Sequence, residues 1–331
     1  MKNYIVFDLE WNQSSEGKEN SIEHFPFEII EIGGVKMDEE FHIISEFHKL
    51  ITPQVYTEMH YKIMEVTHMD MGQLKQEGQP FVQAIEEFLL WCGEDYLFCT
   101  WGTMDLTELQ RNMDYYHVEI PFKWPLKYYD IQKLYALQNG DIKAKPSLDH
   151  AVEDLGILEE RPFHRALDDA YYTGKVLQCL EFSRWKPYIS IDYYQLPQRK
   201  EDEIYLDFPT YSKYVSREFD TKEEALADKI VTDMVCKDCK RMLRKKQRWF
   251  SLNQKQYFCL AVCPVHGFVQ GKIRMKKSEQ GRFYVVKTMK PVDEAGAENV
   301  FHKKEEQRQK RRERSTTKKI KKSSLTRRNN Q

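Results

Sequence analysis

The chain has 331 residues, enough for one large domain and a smaller one. It contains no run of the roughly 18 apolar residues that a membrane span needs, and its N-terminus enters a strand without a basic-then-apolar leader. The expectation is a cytoplasmic protein with no membrane association, whose seven cysteines stay reduced. The net charge of −1 hides a division: residues 236–331 hold 28 Lys/Arg against 8 Asp/Glu, and residues 1–235 hold 23 against 44. An acidic part joined to a basic part points to a polyanionic partner.

In chain order, residues 4–10, 27–37 and 41–51 read as strands. The second carries Gly33-Gly34, which suits a close approach or a bulge, and Asp38-Glu39-Glu40 makes a hairpin turn to the third. Residues 54–80 read as a mixed loop with one short helix. Phe81, Ile85, Phe88 and Leu89 give helical spacing over 81–92, and 96–101 is an apolar run of strand length. Helices are expected over 105–116, 130–137, 147–155 and 165–182, with a short strand at 127–129 and Gly156 closing the helix before it. Strands followed by alternating helix and strand imply an α/β fold, a mixed sheet with helices on both faces. The expected domain spans 1–184. Residues 185–233 read as a linker or extension with one helix, opened by the capping pair Thr221 and Glu224. A small β domain is expected at 234–291 and a basic, disordered tail at 292–331, where 302–331 hold 13 Lys/Arg and 3 Asp/Glu. Cys92, Cys99 and Cys179 read as small core residues.

The chemistry begins in the first strand, Tyr4-Ile5-Val6-Phe7-Asp8-Leu9-Glu10-Trp11. Alternation puts Asp8 and Glu10 on one face, opposite Phe7 and Leu9. At roughly 6 to 7 Å and an effective dielectric of about 20, their repulsion costs on the order of 2–3 kcal/mol. A bound hard cation reverses that sign. A lone Asp-x-Glu is more often a solvated edge, so the remaining acids decide. Asp105 opens the helix after the strand at 96–101, and His164, Asp168 and Asp169 stand at the start of the last helix of the domain. Each alone also suits a helix N-terminus.

Phe7-Asp8-Leu9-Glu10, Trp101-Gly102-Thr103-Met104-Asp105-Leu106 and His164-Arg165-Ala166-Leu167-Asp168-Asp169-Ala170 resemble, in order and spacing, the three motifs of the DEDDh 3′–5′ exonuclease superfamily. Within it, the chain looks most like the Eri-type exonucleases and the KapD group. The resemblance covers about residues 1–182 and implies an RNase H-like fold. It implies that Asp8, Glu10, Asp105 and Asp169 bind two Mg²⁺ or Mn²⁺ ions, with His164 as general base for hydrolysis of a phosphodiester. Asp168, turned about 100° away on the helix, is the weaker ligand. It also implies a single-stranded substrate, RNA favoured over DNA, cut to 5′-mononucleotides. Trp11, Trp101 and Met104 are placed to seat a terminal base. The competing reading is a regulatory or adaptor protein that retains the nuclease fold and acts by binding.

Cys236-x-x-Cys239 and Cys263-x-x-His266 have the spacing of two knuckles around one structural Zn²⁺, with Cys259 as a rival ligand. With hairpin strands between them, the unit resembles a zinc ribbon. Arg244, Lys245, Arg248 and Trp249 mix charge and aromatic surface, as phosphate contact with base stacking requires.

Overall fold

The computed structural model describes residues 2–141 and 145–328, and the chain divides into two units, Met1–Gln195 and Leu196–Gln331. In the first unit, β1 (Asn3–Asn12), β2 (Glu28–Met37), β3 (Ile43–Leu50), β4 (Tyr96–Thr100), β5 (Lys127–Asp130) and β6 (Ser190–Ile191) form one sheet, ordered β3-β2-β1-β4-β5-β6. The first three strands pair antiparallel, β4 and β5 run parallel to β1, and β6 closes the edge antiparallel. This is the expected RNase H-like mixed sheet.

The alternation of β1 decides the layering. Ile5, Phe7 and Leu9 are buried with Phe81, Ile85 and Phe88 of α3 (Phe81–Cys92) and with Leu106, Leu109 and Met113 of α4 (Met104–Tyr115). The even residues of β1, Asp8 and Glu10 among them, face the other way, towards α7 (Ala166–Cys179). Because β1 is third of six strands, its two acids lie in the middle of the sheet.

Residues 54–80 hold two short helices rather than one, α1 (Tyr61–Thr67) and α2 (Met71–Glu77). Asp70 caps the second by accepting from the Gln73 N–H, a signal the reading as a loop passed over. The expected helices α5 (Ile131–Gln138) and α6 (Leu148–Asp154) are present, and a single turn, α8 (Phe182–Trp185), follows α7. Cys179 is exposed at the end of α7, whereas Cys92 and Cys99 are buried as expected.

The segment read as a linker or extension divides between the two units. Residues 185–195 belong to the first unit and supply β6, while 196–233 supply β7 (Ile204–Asp207), β8 (Ser212–Val215), α9 (Lys222–Ala227) and α10 (Lys229–Thr232) to the second. There, β9 (Arg244–Asn253), β10 (Gln256–Cys263), β11 (Gly267–Lys277) and β12 (Phe283–Val292) complete an antiparallel sheet ordered β7-β8-β12-β11-β10-β9. The expected hairpin of a small ribbon is thus the edge of a six-stranded sheet. Short strands amid tyrosines, prolines and charges hid β7 and β8.

A disordered tail was expected from 292, but α11 (Glu294–Arg328) begins there. Ala297 and Val300 pack on Phe250, Phe258 and Leu260, which anchors the opening turns. The lysine-rich composition masked this apolar pair at i, i+3 spacing. Residues 329–331 of the expected tail lie outside the described residues. No helix among the described residues is long and apolar enough to cross a membrane.

Candidate active site and candidate zinc cluster

Carboxylate oxygens of Asp8, Glu10 and Asp169 lie within 4.8 Å of one another. Two come from β1 and the third from α7, so the cluster depends on how closely the helix approaches the sheet. Asp8 pairs in register with Gly33, and Glu10 with Glu31. At Gly33 the helix backbone sits directly on the strand: a Cβ there would lie 2.0 Å from Leu167 N and 2.1 Å from the Ala166 carbonyl carbon. Only glycine permits that approach.

Asp105 arrives from the other side. β4 ends at Thr100, whose hydroxyl donates to the Gly102 carbonyl at 2.9 Å, and Gly102 takes a left-handed φ of 104°. The turn delivers Asp105, 5% exposed, in the first turn of α4, where its carboxyl accepts a hydrogen bond from the Leu9 backbone of β1. Asp105 is outside the tight three-carboxylate group but raises the Asp8 pKa by its charge.

The four carboxyls share one electrostatic character. Burial first, and then the neighbouring acids, push Asp8 well above the carboxylate range. Burial, Asp169 and Glu31 push Glu10 up to about 8. Burial holds Asp105 and Asp169 at about 7 each. Four acids that resist ionisation together have the donor set for a hard divalent cation, whose charge would offset their repulsion.

His164 is exposed at the entrance to α7 with a φ of 67°, and its backbone N–H donates to Asp169 Oδ1 at 3.2 Å. Asp168 is turned away and pairs with Arg161 at 3.6 Å. Met104 is 47% exposed beside Asp105. Trp11 is half-buried against Phe27, and Trp101 is half-buried with its indole N–H donating to the Pro146 carbonyl at 3.3 Å.

Sequence reasoning missed Glu31. It is fully buried on the face of β2 that carries Gly33, beside Glu10. Arg165 donates to it from Nε at 3.1 and 3.2 Å and from Nη2 at 2.8 Å, the Ala166 N–H donates at 3.2 Å, and His48 Nε2 stands at 2.5 Å. Burial alone would raise its pKa, but the His48 and Arg165 contacts overturn that and hold it low. Glu31 therefore fastens the N-terminal end of α7 to the sheet. The available signal was an acid inside an apolar strand, two residues before the glycine pair.

In the second unit, Cys236, Cys239, Cys263 and His266 present ligand atoms all within 4.8 Å of one another. Cys236 Sγ and Cys263 Sγ lie 3.4 and 3.5 Å from His266 Nδ1, and Cys239 Sγ lies 3.6 Å from Cys263 Sγ. A tetrahedron with Zn–S of about 2.3 Å and Zn–N of about 2.1 Å has edges of roughly 3.5–3.8 Å, so the donor set fits zinc. Burial opposes ionisation of Cys263, but the N–H groups of Val265 and His266 draw its pKa down to about 6, towards the thiolate a metal binds. The rival, Cys259, is fully buried in the adjacent apolar cluster and outside the ligand group.

Two expected surface residues are placed otherwise. Trp249 is half-buried, its indole N–H donates to the Thr232 carbonyl at 2.7 Å, and its ring fills the space over Gly271. Lys245 pairs with Asp233 at 3.8 Å. Arg244 and Arg248 are exposed on β9.

A half-buried carboxylate cluster on a mixed sheet flanked by helices has the donor set for a divalent cation. The family model described as Exonuclease, RNase T type, matches residues 5–177, and the chain belongs to this family. Among solved structures, the nuclease domain of 3′hExo, a DEDDh family member bound to rAMP, is 18% identical over 58% of this chain and 96% of that one, with a TM-score of 0.48. S. pombe Pop2p with Mg²⁺ and Mn²⁺ is 19% identical over 55% and 84%, with a TM-score of 0.42. E. coli exonuclease I with an oligonucleotide is 12% identical over 79% and 54%, with a TM-score of 0.44. No curated protein sequence matches the chain.

Proposed function

We propose that the protein is a 3′–5′ exonuclease that removes 5′-mononucleotides from single-stranded nucleic acid, RNA in preference to DNA. The observation that carries the reading is the convergence of Asp8, Glu10 and Asp169, from elements far apart in sequence, with Asp105 buried behind them. These four side chains would hold two Mg²⁺ or Mn²⁺ ions, which when bound supply an activated water and offset charge on the phosphate and the leaving oxygen. Glu31 and Gly33 fix the helix that carries Asp169. His164, exposed and five residues before Asp169, takes the proton of the attacking water. Met104, exposed next to Asp105, seats the terminal base with Trp11 and Trp101. The preference for RNA rests on the Eri-type resemblance of the three motifs. In the second unit, Cys236, Cys239, Cys263 and His266 hold one structural Zn²⁺, and the unit binds the strand. A cytoplasmic location completes the reading.

Purified protein with Mn²⁺ should shorten a 5′-labelled RNA strand in a descending ladder, faster than the matching DNA, and Asp8→Asn should abolish it. A strand labelled at the 5′ end that loses its label as a mononucleotide in the first turnovers would reverse the polarity. A strand left intact by the parent protein would remove the assignment.

A further inference from the structure

We propose that the face of the second unit's sheet that carries Lys272, Arg274 and Lys276 of β11, beside the strip of Phe258 and Leu260 that α11 covers, is a track for the phosphate backbone of a single-stranded nucleic acid. The proposal deepens the nuclease reading, on which it rests, by placing the strand-holding surface away from the β9 residues named above. Lys272, Arg274 and Lys276 occupy alternate positions of β11, so they project from one face at intervals of about 6.7 Å. In the antiparallel register, Lys290 lies opposite Gln270, Thr288 opposite Lys272, and Lys213 opposite Thr288, which puts Lys290 and Lys213 on the same face. Arg274, Lys276 and Lys290 are exposed, and Lys213 and Lys272 are half-exposed. From α11, Lys303 stands 4.8 Å over the ring of Phe258, the ring that Lys272 covers at 5.6 Å, and so extends the row.

A solvated sheet face alternates its charges in sign. This one does not: along β8, β10, β11 and β12, none of the described positions on this face is Asp or Glu. The opposite face holds Ile273, Met275 and Val285 in one buried cluster, and its Lys287 is buried and donates to the Ile230 and Asp233 carbonyls. Strand alternation therefore lines up Lys272, Arg274 and Lys276 on one side, in a row whose step is of the same order as that of an extended nucleotide chain.

The aromatic residues decide what the surface reads. Phe258 and Tyr284 are 4% and 5% exposed, roofed by Lys272 and Lys303 and by Lys276, so they offer no stacking platform. The track reads phosphates rather than bases, and its occupant binds without sequence preference and with a steep salt dependence.

The test uses the full chain carrying Asp8→Asn, so that the strand survives, and measures binding of a mixed-sequence RNA oligonucleotide over a range of salt. Each phosphate contact contributes about −0.7 to the slope of log K against log salt for single strands. The combined variant Lys272→Gln, Arg274→Gln, Lys276→Gln, Lys290→Gln should flatten the slope by about 3 and weaken low-salt binding at least tenfold. Lys272→Arg, Lys276→Arg, Lys290→Arg should keep both, which separates charge from misfolding. Removing three cations elsewhere, with Lys75→Gln, Lys123→Gln and Lys127→Gln, should leave the slope in place. An unchanged slope in the Gln variant, an equal change in the control, or loss of binding to phosphatidylserine vesicles while RNA binding persists would overturn the track. Failure of the parent protein to cut any strand overturns the nuclease reading instead and leaves these binding slopes interpretable.

Discussion

Gly33→Ala adds one methyl group and tests how the active site is assembled. The new Cβ would lie 2.0 Å from Leu167 N, 2.1 Å from the Ala166 carbonyl carbon and 2.4 Å from Leu167 Cα. All three are backbone atoms, so no rotamer change relieves the clash. To restore a carbon contact of about 3.5–4 Å, the start of α7 must retreat from β2 by on the order of 1.5 Å. Asp169 lies in the first turn of that helix and moves with it. Misplacing a reacting group by about 1 Å costs on the order of 100-fold, so kcat should fall at least 100-fold, about 2.7 kcal/mol of barrier. The Mn²⁺ concentration for half-maximal activity should rise as well, because one carboxylate leaves the cluster. Overpacking should also cost about 1–3 kcal/mol of stability, read from urea unfolding. Gly34→Ala is the control: the nearest atoms to its Cβ would be Trp91 Cζ3 and the Val6 carbonyl oxygen, both at 3.3 Å. Hydrolysis of a 5′-labelled strand, with circular dichroism to verify folding, compares the two. A folded Gly33→Ala protein that cuts within about threefold of the parent would refute the dependence of the site on this contact.

Glu31→Gln removes the charge that Arg165 and His48 share, and breaking this buried pair should cost about 3 kcal/mol in urea unfolding and reduce activity through displacement of α7. His164→Ala should lower kcat by about 10²–10⁴ while metal binding, measured by calorimetry, stays near that of the parent. Because burial and mutual repulsion raise Glu10 to about 8 and Asp105 and Asp169 to about 7, the folded protein without metal keeps protons that the unfolded chain sheds near pH 4. Its stability should therefore fall as pH rises from about 4 to about 8, and the gain in melting temperature on adding Mn²⁺ should be larger near pH 8 than near pH 6. A gain that shrinks with rising pH would contradict the cation site. Elemental analysis should find about one zinc per chain, lost in Cys263→Ser and kept in Cys259→Ser, since Cys259 stands outside the ligand group.

The motif spacing in the sequence named the candidate acids, and in the structure the carboxylates of Asp8, Glu10 and Asp169 lie together while Asp105 is buried outside that group. Strand alternation was enough to orient Asp8 and Glu10, because side-chain direction in a strand follows from local geometry. Glu31 was not legible in the same way. Its role depends on which strand pairs with β1 and in which register, and on a helix that arrives 134 residues later. The same limit applies to Trp249: its interleaving with Arg248 suggested a stacking surface, yet a bulged edge strand turns it onto Gly271. Lys272, Arg274 and Lys276 show plain alternation, but only the pairing of β11 with β12 and β8 joins them to Lys290 and Lys213.

The opposite responses of two glutamates on one sheet face separate a scaffold residue from a candidate ligand. Glu10 and Glu31 are register partners, Glu10 half-buried and Glu31 buried, yet Glu10 is pushed up to about 8 and Glu31 is held below its ordinary value. Arg165 and His48 account for the difference: their donors turn the burial cost of Glu31 into a fixed ionised anchor. Because its oxygens are occupied by those donors and by the Ala166 N–H, Glu31 has little capacity left for a metal. Glu10 has no such donor set, and Arg165 is only a distant, partial counter-charge to it. One arginine thus fastens α7 to the sheet while leaving three clustered carboxylates under-compensated. A cation would supply what Arg165 does not, and exchanging Glu31 for Gln would free that arginine to neutralise Glu10 and compete with such a cation for it.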